Sequence, residues 1–254
     1  MRLAATAILV LCPAMAAADP CDGLSASGAT QGVEEARLII EYNATDDDIG
    51  VHGYVSTGAW AAMCLAAPDG TILGRLETAG PLGDLGLDTM FFESREPPAA
   101  EWDYDDLRAA FAEGSYRIAV QNVDGSVGTA TARFTTLVPT PPEILGPPIV
   151  DDEEEAEAAT VPADAVAVSW APVTTSLDGR APRITGYQVI VTKEGHADPD
   201  GFSKPIFDVR VGPEVTRLPV PAAFFDAGEI YELEVLALEA SGNQTISVGF
   251  FMVE

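Results

Sequence analysis

One stretch constrains this chain more than any other. Ile230-Tyr231-Glu232-Leu233-Glu234-Val235-Leu236-Ala237-Leu238 alternates with a period of two, tyrosine, leucine and valine on one side and acids partly on the other. A β-strand puts successive side chains on opposite faces of a sheet, so this stretch reads as a strand with one buried face. The pattern repeats. Ala165–Trp170 alternates, and Ile184–Val191 is rich in β-forming residues. Ile206–Val211, Val215–Val220 and Thr245–Phe251 are shorter strands.

The front half has the same grammar. Arg37–Tyr42, Val51–Val55, Ala62–Ala67, Thr71–Leu76, Thr89–Glu93, Tyr116–Gln121 and Ser126–Thr135 read as strands. Asp69-Gly70 and Asp124-Gly125 mark two hairpins, because such pairs suit tight turns. Gly80, Gly83 and Gly86, with Pro81, read as turn residues. One helix is expected over Ala99–Phe111, where Tyr104, Leu107 and Phe111 share a face. The acids Glu101, Asp103, Asp105 and Asp106 crowd its first turns, where the helix dipole favours anions. Short strands separated by regular turns predict an all-β chain of two tandem β-sandwiches with one short helix in the first.

Proline marks the boundary: Pro139, Pro141, Pro142, Pro147 and Pro148 interrupt any helix or central strand. The acidic block Asp151–Glu157 follows, expected as a solvated, mobile loop. The expected division is a signal segment over 1–18, a first sandwich over 31–138, a Pro-rich and acidic connection over 139–164, and a second sandwich over 142–254. The Pro-rich junction reads as a semi-rigid spacer.

Within the second half, Val166-x-Val168-x-Trp170, Ile184-x-Gly186-Tyr187-x-Val189 and Phe225-x-x-Gly228-x-x-Tyr231-x-Leu233-x-Val235 resemble a fibronectin type III domain. The resemblance implies that Trp170, Tyr187, Phe225, Tyr231 and Leu233 build the core, with Tyr231 at a tyrosine corner. Ala227 stands where that family commonly has proline, and no Arg-Gly-Asp triplet occurs. In the first half, Phe111-x-x-Gly114-x-Tyr116 entering a strand resembles an immunoglobulin-like module of exported bacterial proteins.

The N-terminus reads as an export signal: Arg2, the apolar run Leu3–Met15, and an A-x-A site at Ala16-Ala17-Ala18. The apolar run is too short to span a bilayer, so no stable membrane insertion is expected once the signal is cleaved. The expected location is periplasmic or secreted. Cys21 and Cys64 then remain as a pair, and an oxidising compartment favours a disulfide between them. The chain carries 40 acids against 13 bases, a net charge of −27. That field repels nucleic acid and favours cations or basic partners.

Chemistry is sparse. Two histidines are present, His52 and His196, without H-E-x-x-H, G-x-S-x-G or P-loop patterns. A non-enzymatic binding or scaffold protein for an unknown protein or glycan is expected. The best cofactor candidate is calcium at Asp46, Asp47 and Asp48, where Asp46-x-Asp48-x-Gly50 spaces alternate carboxylates. Glu34–Glu35 or Asp151–Glu157 could complete the shell; the plainer reading of the same acids is a solvated Asx turn. Asp198-Pro199-Asp200-Gly201 reads as a plain turn. Trp60 and Trp102 are the candidate sugar-stacking rings. Asn43-Ala44-Thr45 and Asn243-Gln244-Thr245 match the glycosylation sequon, and both asparagines read as turn residues.

Overall fold

In the computed structural model the described residues are Cys21, Leu24, 30–195 and 206–254. The expected signal segment, His196 and the Asp198–Gly201 turn lie outside them. The front half contains β1 (Thr30–Gly32), β2 (Glu35–Asn43), β3 (Asp48–Ala66), β4 (Ile72–Glu77), α1 (Gly80–Leu85), β5 (Leu87–Glu93), α2 (Tyr104–Ala110), β6 (Gly114–Asn122) and β7 (Val127–Phe134). The back half contains β8 (Ile144–Gly146), β9 (Thr160–Val161), β10 (Ala167–Trp170), β11 (Ile184–Lys193), β12 (Ile206–Val211), β13 (Arg217–Pro219), β14 (Ile230–Glu239) and β15 (Gln244–Val253). The chain is all-β and forms β-sandwich lobes.

The stretches expected as separate strands at Val51–Val55 and Ala62–Ala67 are one strand, β3, of 19 residues. Its first part pairs with β2 and β5, its second with β4 and β6, and its register shifts around Ser56–Ala62. A strand this long must pass from one layer of the lobe to the other. Trp60 sits at that crossing, paired with Leu87 on one side and Asn122 on the other. Its indole is 0% exposed and packs with Leu38, Ile40, Met63, Ile118 and Phe134. Tyr116, also buried, donates its hydroxyl proton to the Ala112 carbonyl at 3.0 Å. Cys21 is disulfide-bonded to Cys64 and shares a small cluster with Ala66 and Ala119.

The helix expected from Ala99 begins at Tyr104 instead. Asp103 caps it, accepting from the Asp105 and Asp106 amides, while Asp106 reaches back to the Asp103 amide. This capping box fixes the start. Leu107 is fully buried, and Tyr104 and Phe111 pack beside it. Gly80 and Gly83, expected in turns, lie in the short helix α1, which buries no residue.

In the back lobe β8, β10 and β13 form one layer, facing β15, β14, β11 and β12. Between them lie Trp170, Tyr187, Tyr231, Leu233 and Phe251, each at most 1% exposed, with Phe225 at the margin. The Trp170 and Tyr187 rings meet at 5.3 Å, and those of Phe225 and Tyr231 edge-to-face at 4.9 Å. Both tyrosine hydroxyls are used: Tyr187 accepts from the Val173 amide at 2.8 Å, Tyr231 from the Asp226 amide at 2.7 Å. The acidic block is not a free loop. Glu153–Ala159 forms a 3-10 helix capped by Asp152, with Ala156 and Ala159 buried. In a 3-10 helix, residues three apart share a face, so two alanines suffice to dock it while the acids stay solvated.

The lobes are not joined by a spacer. β2 and β15 pair in parallel over Glu41–Asn43 and Gln244–Ile246, so the inner sheets of both lobes run together edge to edge. At the centre is Asn243, 0% exposed. Its carbonyl accepts from the Ile40 amide at 2.9 Å, and its amide nitrogen donates to the carbonyls of Thr135 at 2.8 Å and Leu137 at 3.1 Å. Thr245, equally buried, donates to the Pro139 carbonyl at 2.7 Å. Gly242 must be glycine here, since its φ is 99° and a Cβ would lie 2.7 Å from Ile39 Cγ2. Arg180 adds a surface bridge from the back lobe to Glu113 and Thr136. The folded chain offers no access to Asn243 for glycosylation.

Replacing Asn243 with alanine leaves one buried amide and two carbonyls unpaired and should lower unfolding stability by about 3 kcal/mol. Asn243→Asp keeps the volume but loses the donors, so denaturant titration should find it at least as damaging.

Candidate functional site

Joining the sheets creates a continuous outer face. On β2 and β3 the core takes Leu38, Ile40, Val51 and Val55, which turns Arg37, Ile39, Glu41, His52 and Tyr54 outward. On β14 the core takes Tyr231, Leu233 and Val235, which turns Glu232 and Glu234 outward. A groove of about 650 Å³ lies along the seam, lined by Arg37, His52, Tyr54, Phe91, Arg210 and Gln244 among others. Phe91 is 61% exposed.

Beside this groove a compact charged trio forms. Glu41 comes from β2, His52 from β3, and Glu96 from the loop after β5. His52 Nε2 lies 3.0 Å from Glu96 Oε1 and 3.8 Å from Glu41 Oε1. Glu41 Oε2 accepts from the Gln244 amide, tying the trio to β15. The Phe91 ring stands edge-on to the imidazole at 5.9 Å. Gly50 makes the arrangement possible, because a Cβ there would lie 2.6 Å from Glu96 Cγ. Burial disfavours the His52 imidazolium, but the Glu96 hydrogen bond and the Glu41 charge outweigh it, and the pKa rises. Burial also raises the Glu41 pKa, against the pull of His52 and Gln244. Among the described residues this is the one group of three His, Cys, Asp or Glu side chains whose ligand atoms converge within 4.8 Å.

Further along the face, Glu234 sits between Ile190 and Val248 on the neighbouring strands. Burial, then the neighbouring Glu232, push its pKa up to about 8. Next to it runs a polar ladder, with Gln188 donating to Asp208 at 2.8 Å and Arg210 to Gln188 at 2.9 Å.

The sequence-derived candidates are placed elsewhere. Asp46 accepts from the Asn43 side chain at 2.8 Å, and Asp47 from the Tyr42 hydroxyl at 3.0 Å. Asp47 has φ 53°, the left-handed conformation that turns the loop. Asp47 and Asp48 line a hollow of about 370 Å³ with Tyr42, Asp103, Tyr104 and Asp178. Asp103 is occupied as the helix cap, and Asp178 by Ser176 and Arg180. Asp48 Oδ1 is buried without a hydrogen-bond partner. Burial raises the Asp48 pKa, with Glu96, Asp46, Asp47 and Glu93 adding to it. Trp60 cannot stack on a sugar, because the strand crossing buries it completely. Trp102 is half-buried on a hollow of about 210 Å³ against Pro97, Leu107 and Phe111.

The trio was missed because Glu96 lies 44 residues from His52 and neither glutamate stands in a motif. The available signal was His52 between Val51 and Val55, in a stretch of otherwise uncharged residues.

No family model matches this chain, and no curated protein matches it. Solved structures similar to it include a chain from a study of a 1.5-MDa bacterial ice-binding adhesin, at 16% identity and TM-score 0.27, covering 86% of this chain and 64% of that one. Another is a tetra-tandem repeat from the extending region of a large adhesion protein, at 13% identity and TM-score 0.26, covering 87% and 50%. This chain thus spans less than two thirds of either. Overlap this low carries no functional argument.

The raised pKa values of Glu234, Glu41 and His52 act in one direction. Each group holds its proton more tightly folded than unfolded, so the stability it contributes is full below its unfolded pKa and is lost as pH rises through the folded value. Thermal midpoints should therefore fall between about pH 5 and about pH 9. Glu234→Gln should flatten this fall and be the more stable protein at the alkaline end.

Proposed function

We propose that this chain is an exported, non-enzymatic recognition protein whose two β-sandwich lobes, locked together at Asn243, present the seam groove to a protein segment or a glycan. The observation that carries this reading is the groove itself. It is open, large enough for several residues or sugar units, and lined by Tyr54 and exposed Phe91 beside Arg37 and Arg210. Aromatic faces with a few well-placed polar groups are what such sites use to hold extended ligands. Export is supported by the N-terminal A-x-A pattern and by the Cys21–Cys64 disulfide. The fibronectin type III reading of the back lobe is supported by three strands facing four across the Trp170 and Tyr231 core. The absence of a nucleophile–base motif in the sequence supports a non-catalytic role.

A second reading, a calcium-dependent adhesion or surface component, has one specific observation in its favour: Asp48 Oδ1, buried and unpartnered among like charges. A hard cation would relieve that repulsion. It predicts a melting midpoint several degrees higher in ~1 mM calcium than in chelator, a rise lost in Asp48→Asn. An unchanged midpoint removes this reading.

The groove reading is tested on glycan and peptide arrays with the wild type and the Tyr54→Ala/Phe91→Ala double variant. Ligands retained by the wild type should be lost by the variant, at a melting midpoint within a few degrees of wild type, since neither ring is fully buried. Equal binding by both proteins would exclude the groove as the site.

A further inference from the structure

We propose that Glu41, His52 and Glu96 form a site for a borderline divalent cation such as zinc or cobalt, separate from the calcium reading above and independent of what the groove binds. The donors come from three segments of the chain, and their side chains are 16%, 10% and 18% exposed. Around an ion with bonds of about 2.1 Å, neighbouring donors stand about 3.0–3.4 Å apart. His52 Nε2 lies 3.0 Å and 3.8 Å from the two carboxylate oxygens, so a cation needs only small side-chain adjustments to enter.

The surroundings are those of a held ligand set. Gln244 occupies Glu41 Oε2, which leaves Oε1 facing the imidazole. Phe91 packs against the His52 ring and fixes its plane. Bare Gly50 gives Glu96 its place. Hydrogen-bonding partners that orient the ligands, as Gln244 does for Glu41, are a common feature of metal sites. Charge favours the assignment too: a divalent ion between two carboxylates and a neutral imidazole leaves the trio neutral. The imidazole donor selects the metal class, since calcium and magnesium prefer all-oxygen shells whereas nitrogen suits zinc and its neighbours. Three protein donors leave coordination positions for solvent or for an oxygen of a bound ligand, and His52 also lines the seam groove. Because Glu41 is tied to β15, the bound ion would brace both lobes.

The test uses the full chain stripped with chelator and titrated with cobalt, read by visible absorption, then with zinc in competition and in thermal melts. One cobalt per chain is expected, with a spectrum of mixed nitrogen and oxygen ligation, displaced by zinc, and a higher melting midpoint. His52→Gln and Glu96→Gln should each weaken binding at least about 100-fold, beyond the loss typical of outer-shell changes. Asp46→Asn/Asp48→Asn should leave it unchanged. Glu96→Gln can still hydrogen-bond His52, so it remains informative if the histidine variant fails to fold. The proposal is overturned by the absence of saturable binding, by binding that survives Glu96→Gln, or by calcium producing the same midpoint rise through the trio.

Discussion

The buried side chain of Asn243 is the constraint on which the rest of the molecule depends. A single amide satisfies an Ile40 amide on one lobe and two carbonyls of the segment leading out of β7. The Ile40 bond is buried and the two carbonyl bonds are partly so, and a polar group left unpaired away from water is costly. The segment after β7 is thereby pinned to the start of β15, and β15 is brought alongside β2. Two sandwiches that could have hung on a proline hinge become one body with a shared sheet.

That joining decides where chemistry can occur. Strand pleat sorts side chains into core-facing and outer sets within each lobe, but the groove exists only because two outer faces meet. Glu41 belongs to the front lobe and Gln244 to the back, and their hydrogen bond anchors the charged trio to the seam. Burial is why Glu41 and Glu234 hold their protons above the usual range, with the neighbouring Glu232 adding to it at Glu234. In a chain with net charge −27, the acids together set a field that repels like charge and favours solvation. The half-buried Glu41 and Glu234 on this face hold their protons more tightly than a free carboxylate does.

Much of the architecture could be read in advance because it is local. Alternation marked β14, Asp-Gly pairs marked the hairpins, and large rings at Trp170, Tyr187 and Tyr231 marked the back core. Even α2 was visible, though its true start depends on the reciprocal cap between Asp103 and Asp106. Where reading failed, a distant contact had overridden a local preference. Asp151–Glu157 has the composition of a free loop, yet Ala156 and Ala159 dock it as a 3-10 helix. Trp60 sits among small residues between two expected strands, yet the crossing of β3 encloses it.

The sequence by itself determined the all-β class, the two Asp-Gly hairpin turns, the cysteine pair and the strongly acidic surface, since each follows from periodicity, turn chemistry or composition within a few residues. Only the tertiary structure decided that Asn243, at the end of the turn between β14 and β15, is also a buried clamp, and that Glu41, His52 and Glu96 stand together. The physical reason is separation along the chain: the Asn243 hydrogen bonds span more than a hundred residues and the His52–Glu96 contact spans 44, so neither leaves a local pattern. Their partners are ordinary residues until the fold brings them into contact.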